Sequence, residues 1–407
     1  MTGSGTSARG LALDVLERID GGAYANLALP GTLARCGLEE RDRALVTELV
    51  YGTTRARRAL DWLIDAHLHQ PVADVRVRAA LRLGAYQLAF TRIPPHAAVS
   101  QTVGESPVRA RGLVNAVLRR VSDRLPPAWP NLATELSYPD WIVARLESDL
   151  GAGVARAALA QMNQAPPVTV RADGYVQDPG SQWVAQLVGA RPGERVVDVC
   201  AAPGGKATAI ATAIATAITT AIATAIANAT EPGEALSRSL VLAADVRASR
   251  VRAMRAGVRR LGLDHRPGVP LVTLVADGRH PPIAPGSLDR VLVDAPCSGL
   301  GVLRRRADAR WRVQESDVAR LSVLQRELIQ AAVPLLRPGG TLVYSVCTLT
   351  RAETTDVDRW LAAAHPELRA VPAPGSPWME WGRGALLTPQ AAGSDGMFIL
   401  RLTLGER

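Results

Sequence analysis

The sequence predicts an α/β fold, a parallel sheet covered by helices on both faces, preceded by a separate all-helical domain. Two textures and the chain length carry that expectation. From about Arg9 to Val121 apolar residues recur at spacings of three and four, whereas from Arg195 onward short β-branched runs alternate with helical stretches. At 407 residues the chain exceeds what one hydrophobic core usually organises, so division into domains is expected.

The elements follow in order. ARGLALDVLERI, RALVTELVYGTTRARRALDWLIDAHL and VRAALRLGAYQLAF read as amphipathic helices joined by short polar or proline-containing segments such as IPPHAAVS, which makes a helical bundle the simplest account of residues 1–128. PPAWP, Pro126 to Pro130, reads as a stiff linker, and residues 129–180 hold a further helical stretch from Pro139 to about Gln164 that runs into APPVTVRAD. Residues 181–407 form the α/β domain: RVVDVC, SLVLAADV, PLVTLVADG, LDRVLVDAP and GGTLVYSVC are near-continuous apolar strands of the kind a doubly covered parallel sheet needs. FILRLTL, Phe398 to Leu404, suits a final strand at or near the sheet edge. An Ala-Thr-Ala-Ile tetrad repeats across residues 207–230 and places Ile210, Ile214, Ile218, Ile222 and Ile226 four apart. On a helix such a stripe drifts, because four residues overshoot a turn by about 40°. It reads as the first sheet-covering helix lengthened by repeat expansion; a disordered protrusion is the competing account.

Composition narrows the partners. The formal charge of +9 favours an acidic partner, since clustered arginine neutralises phosphates. The single lysine is Lys206, and the other basic residues are all arginine. Cys36, Cys200, Cys297 and Cys347 are too few and scattered for a disulfide framework or a zinc site, which fits a reducing cytoplasm and no metal. The N-terminus lacks an apolar leader core and no run of about 18 purely apolar residues occurs, which argues against export and membrane spanning.

The sharpest local signal is VVDVCAAPGGKA, Val196 to Ala207. Small residues after a strand let backbone N–H groups and a helix N-terminus approach a ligand closely, and the spacing is not that of a triphosphate-gripping loop. The next two strands end in Asp245 and Asp277, placed to meet ribose hydroxyls and an adenine edge; singly each is as good a helix cap, but in series they favour an adenosine-containing cofactor. Cys297 in DAPCSGLG and Cys347 in YSVCT close two later strands, beside Ser298 and Thr348, where a parallel sheet opens to its ligand. Cys36, within the helical domain, reads as a small buried apolar residue.

DVCAAPGGKA, DAPCSGLGVLRRRADARW and LLRPGGTLVYSVCTLTRAE resemble the motifs of the RsmB/Fmu/Sun family of RNA cytosine-5 methyltransferases. ELVYGTTR, LRLGAYQL and RGLVNAVLRR are similar to the NusB-like domain these bacterial enzymes carry, and the likeness covers most of residues 9–404. The resemblance implies a Rossmann-like methyltransferase domain dependent on S-adenosyl-L-methionine, behind an N-terminal NusB-like RNA-binding domain. It implies that Cys200, Ala201, Ala202, Pro203, Gly204, Gly205 and Lys206 form the cofactor loop, with Asp245, Asp277 and Asp294 as further cofactor or active-site carboxylates. Cys347 matches the family's nucleophile, Cys297 the cysteine that helps release product, and Asp294 is a candidate contact for the cytosine ring. The implied partner is small-subunit (16S) rRNA, handled by a cytoplasmic monomer. Arg304, Arg305, Arg306 and Arg310 would hold phosphates flanking an extruded base, or else form a solvated helix face.

The chain departs from the family's pattern in places. Only Gly174 and Tyr175 lie between VTVRAD and VQDPGS, where members carry a small RNA-contacting subdomain. The helical domain is short around ESPVRAR, Thr354 follows Glu353 where asparagine is common, and Met397 stands where an aromatic is common. Two alternatives therefore stay open: an RNA-binding assembly factor of the same fold with impaired turnover, and a DNA cytosine methyltransferase in which Cys297 would attack.

Overall fold

The computed structural model describes residues 7–227, 239–266 and 268–406. The chain divides into two compact units. The first takes the residues up to Arg145 with Met162–Gln164 and Leu303–Val313; the second takes Leu146–Gln161, Ala165–Val302 and the chain from Gln314 onward.

The first unit is helical: α1 (Ala8–Asp20), α2 (Ala25–Leu33), α3 (Glu40–Arg55), α4 (Arg57–Asp65), α5 (Val75–Phe90), α6 (Pro95–Glu105), α7 (Arg111–Ser122) and the single turn α8 (Leu132–Glu135). Ser7 caps α1 by accepting from the Gly10 N–H at 3.0 Å, and Asp74 caps α5 through Val77 at 3.1 Å. Leu13, Leu49, Leu60, Ile64, Leu81, Leu83 and Leu118 are wholly buried at the centre. Two glycines explain the motifs around them. A Cβ on Gly52 would lie 2.0 Å from the Tyr86 ring and one on Gly84 would lie 2.3 Å from Leu118, so α3 and α7 approach α5 only because those side chains are absent.

The segment Leu303–Val313 belongs to this unit and corrects one expectation. Arg304 and Arg310 are buried, and neither offers a surface for phosphates nor a solvated helix face. The Arg310 guanidinium lies 3.9 Å over the Tyr138 ring and donates to Asn163 Oδ1 at 2.9 Å and to the carbonyls of Ser137, Arg55 and Leu303 at 3.2, 3.3 and 3.4 Å. Burial pushes its pKa down to about 10. A planar, weakly hydrated cation can be satisfied by carbonyl oxygens and an aromatic face, which a run of arginines in sequence does not disclose.

The second unit is built on a nine-stranded sheet of order β3-β2-β1-β4-β5-β9-β8-β7, with β6 also paired to β9. The strands are β1 (Arg195–Asp198), β2 (Leu240–Asp245), β3 (Leu271–Val275), β4 (Leu288–Asp294), β5 (Leu336–Val346), β6 (Leu368–Ala370), β7 (Met379–Trp381), β8 (Gly384–Leu387) and β9 (Met397–Leu404). β1 to β5 pair in parallel, while β9 runs antiparallel between β5 and β8. The closing strand thus lies inside the sheet rather than at its edge: five of the eight residues of FILRLTL and its neighbour Met397 are buried, as a strand paired on both sides requires. Neighbours β1 and β4 mark the point where strand order reverses, which in open α/β sheets is where a crevice forms beyond the strand ends.

Eight further helices follow among the described residues: α9 (Asp140–Leu150), α10 (Ala152–Gln161), α11 (Pro179–Leu187), α12 (Gly205–Ala227), α13 (Ala248–Arg260), α14 (Glu315–Ala332), α15 (Thr355–Ala364) and α16 (Pro389–Ala392), with short 3-10 turns between them, among them Arg351–Glu353. The tetrad repeat is helical as far as it is described, and residues 228–230 lie outside the described residues. Ala207, Ile210, Ala211, Ile214, Ala215 and Ile218 are buried in the core, whereas Ile222 is 37 % exposed. Three steps of about 40° carry Ile222 off the face that Ile210 occupies. Gly205–Thr224 is long and apolar enough to cross a membrane, yet its first turns are core of this sheet.

Candidate active site

The predicted residues come together at the C-terminal ends of the parallel strands. β1 ends in Asp198 and leads through Cys200 to Gly204, where the backbone turns at φ +103° into the N-terminus of α12. A Cβ on Gly204, at positive φ, would lie 2.8 Å from Met254, so that position excludes a side chain, while one on Gly205 would lie 3.2 Å from Gln177 and crowd it. β2 ends in Asp245, β3 is followed by Asp277, β4 ends in Asp294 and β5 leads to Cys347.

Lys206, the one lysine, is buried on the first turn of α12 and its Nζ donates to Asp294 Oδ2 at 2.7 Å. Burial works to lower its pKa, but the Asp294 carboxylate, with Cys347 and Asp198 behind it, holds the ammonium above the ordinary lysine value. Asp245 is buried, accepts from the Arg247 N–H at 2.9 Å and lies 3.5 Å from the Arg250 guanidinium. Asp277 is engaged by its neighbour: Arg279 donates to it from the backbone at 3.0 Å and from the side chain at 2.7 Å, and these hydrogen bonds bring its carboxyl down to about 2. Cys200 is a neutral thiol, raised by burial and then by the charges of Asp198, Asp294, Asp245 and Asp277.

Cys297 and Cys347 place their sulfurs 3.3 Å apart, both half-buried, with the Cys347 carbonyl accepting from Gly301 N–H at 3.0 Å. The Cys297 thiol is held well above the usual value by its contact with the Cys347 sulfur and by burial.

Three residues were missed from sequence. Asp198 closes β1 as Asp245 and Asp294 close their strands, a signal that could have found it. Its Oδ1 accepts from Cys200 N–H at 3.2 Å, while Oδ2 is buried with no hydrogen-bond partner, and burial together with Asp294 raises its pKa. Glu353 and Gln325, both wholly buried behind the two cysteines, carry no comparable signal. At the shortened segment, Val170 bridges Val176 and the chain reverses at Gly174. Arg171 there donates to the Gly205 carbonyl at 2.7 Å and to Gln177 at 2.9 Å, so what remains of the segment braces the start of α12.

The site fits an adenosyl sulfonium. An unpartnered buried carboxylate oxygen, a turn open to close backbone approach, a helix N-terminus and surrounding carboxylates match a ligand that carries a ribose, an amino-acid head group and a positive sulfur. No cluster among the described residues is arranged to hold a metal ion.

Fold and site together define an S-adenosylmethionine-dependent methyltransferase. A profile described as 16S rRNA methyltransferase RsmB/F matches residues 233–403, and a NusB family profile matches residues 6–123. A protein of Mycobacterium tuberculosis is 36% identical over 469 aligned positions, covering 97% of this chain and 96% of its own. The ribosomal RNA small subunit methyltransferase B of Thermus thermophilus is 35% identical over 425 positions, covering 97% of each chain. The crystal structure of PH0851 superposes with a TM-score of 0.74 at 21% identity over 98% of this chain and 99% of that one, a likeness of fold. The chain belongs to the RsmB/F family of 16S rRNA methyltransferases and carries the family's N-terminal NusB domain. Both alignments are longer than the 407 residues here, so these relatives hold residues without a counterpart in this chain.

Proposed function

We propose that this methyltransferase modifies carbon 5 of a cytosine in 16S rRNA through a covalent bond from Cys347. The observation that carries the reading is the pair of sulfurs 3.3 Å apart beside the Lys206–Asp294 ion pair. Cytosine carbon 5 is a poor nucleophile, so a thiolate must first add to carbon 6 and drive the double-bond electrons toward carbon 5. Lys206 is the cation that favours the anionic form of Cys347. Asp294, held as an ion pair, is suited to accept from the cytosine amino group, while the ammonium stabilises charge that develops on the ring. When bound, S-adenosylmethionine supplies the electrophilic methyl group. After solvent water takes the carbon 5 proton, its bonding pair re-forms the carbon 5–carbon 6 double bond, the bond from Cys347 to carbon 6 breaks with its electron pair returning to that sulfur, and the Cys297 S–H is near enough to stabilise the departing thiolate. The carboxylates Asp198, Asp245 and Asp277 and the loop Cys200 to Lys206 hold the cofactor. The target base must leave its stack to reach these groups.

The test mixes the protein, labelled S-adenosylmethionine and unmodified 16S rRNA. The wild type is expected to transfer label to cytosine, Cys347→Ala to transfer none, and Cys297→Ala to accumulate a covalent RNA adduct. An adduct that requires Cys297 in place of Cys347 would reverse the two roles, and no transfer by the wild type would refute the reading.

A further inference from the structure

Glu353 touches neither cysteine directly, yet it is the hub on which both cysteine loops hang. It is wholly buried at the end of the turn Arg351–Glu353. Its Oε1 accepts from the Ser298 N–H at 2.8 Å and from Gln325 Nε2 at 3.1 Å. The hydroxyls of Ser298, Thr350 and Thr348 meet Oε2 at 2.5, 2.9 and 3.0 Å. Ser298 directly follows Cys297, Thr348 directly follows Cys347, and their hydroxyls are 2.8 Å apart. Tyr344 donates to Gln325 Oε1 at 3.0 Å and to the Glu353 carbonyl at 2.7 Å, so the carboxylate's own backbone is fixed. Five donors on one carboxylate satisfy it as an anion, and each amide donor would be left without its acceptor if the side chain were cut back.

Geometry alone could be achieved by a neutral acceptor; the charge calls for a further reason. Inside a protein a fixed negative charge disfavours ionisation of nearby acids, and two sulfurs in contact cannot both be anions. The sulfur contact, burial and then Glu353 raise the pKa of Cys297, whereas Lys206 interacts with Cys347. The other ionisable groups around the pair are Asp294 of β4 and Asp198 of β1, both acting with Lys206, and Tyr344 of β5 with Arg326 of α14 beside it.

We propose that Glu353 is a positioning residue of the methyl-transfer site: it ties the two cysteine loops into one unit and leaves Cys347 as the thiolate and Cys297 as the thiol. The proposal rests on the reading of Cys347 as the attacking sulfur. It supplies that reading with a donor, because a Cys297 that keeps its proton can hydrogen-bond to the sulfur released when the carbon 6 bond breaks.

Competitive alkylation of the full chain with iodoacetamide, without RNA, tests it, with the two cysteine peptides quantified by mass spectrometry. In the wild type Cys347 is expected to label about tenfold or more faster than Cys297, a factor of ten in thiolate population being one unit of pKa. Glu353→Gln keeps one oxygen for the Ser298 and Gln325 N–H donors and turns its amide toward the hydroxyls, which can accept. That variant is expected to hold its melting temperature, lose about tenfold of the labelling preference, and lower kcat with KM for RNA unchanged. Glu353→Asp, which retains the charge, is expected to keep the preference. Equal labelling of both cysteines in the wild type overturns the proposal without recourse to any variant, as does a wild-type ratio in Glu353→Gln. A wild type that labels Cys347 selectively but transfers no methyl overturns the proposed function and leaves this arrangement standing; one that transfers methyl while labelling both equally does the reverse.

Discussion

Arg310 in the helical unit and Lys206 in the sheet unit are both buried cations, and they are buried for different purposes. Arg310 spends its donors on backbone carbonyls, on Asn163 and on the face of Tyr138, all of which belong to the scaffold. Lys206 has a carboxylate at 2.7 Å and Cys347 close by, at the mouth of five strand ends. The guanidinium is an architectural cross-link spread over several acceptors, whereas the ammonium is a compact charge held next to a carboxylate and a thiol. The comparison teaches that burial of a charge does not by itself mark a functional site; the chemistry of its partners does.

The comparison can be broken most directly at the lysine. Lys206→Met is expected to reduce kcat by about 10²–10³-fold, the usual consequence of removing one electrostatic stabiliser, with a stability loss of about 2 kcal/mol or less in urea unfolding, because the Asp294 carboxylate is partly exposed and water can replace the ammonium. Equal losses of folding and turnover would make Lys206 another scaffold cation. Arg310→Met should show the opposite pattern. Three carbonyls lose a donor, so unfolding in urea should register a loss of at least about 3 kcal/mol, while cofactor affinity in calorimetry stays at the wild-type value. Alkaline titration sharpens the contrast further. Because the Lys206 pKa is raised on folding, its stabilising contribution is complete below the unfolded value and is lost as pH rises through the folded one. Melting temperatures followed from about pH 9 to about pH 12 should therefore fall more steeply for wild type than for Lys206→Met. Along α12, Ile214→Ala, in the core, is expected to cost about 2–4 kcal/mol, and the smallest effect of all belongs to Ile222→Ala, already out of the core, at less than about 1 kcal/mol.

Much of the sheet and the site was legible before any coordinates. Strand ends declare themselves because an apolar run of β-branched residues stops at an acid or a cysteine, and Asp245, Asp294 and Cys347 all follow that rule. Asp198 obeys it too, but in VVDVCAAPGGKA the acid stands directly before a glycine-rich turn whose signal is in its backbone, and that signal masks it. Glu353 was not legible: its meaning depends on Ser298, Gln325 and Thr348, brought to it from 55, 28 and 5 residues away by pairing of β4 with β5 and by α14 packing. Arg304 and Arg310 misled for the same reason, since local sequence shows a run of positive charge and cannot show Tyr138 folding back over it. The interior position of β9 was likewise hidden, because whether a closing strand ends outermost depends on where β8 pairs.

The four-residue period of α12 has a consequence for how this chain can vary. Each tetrad advances the helix by about 6 Å and rotates its isoleucine by about 40°, so only the tetrads nearest the glycine-rich turn contribute to the core. Exchange of Ile222 for a smaller or more polar side chain therefore leaves the packed face as it is, whereas the same exchange at Ile210 or Ile214 opens a gap in it.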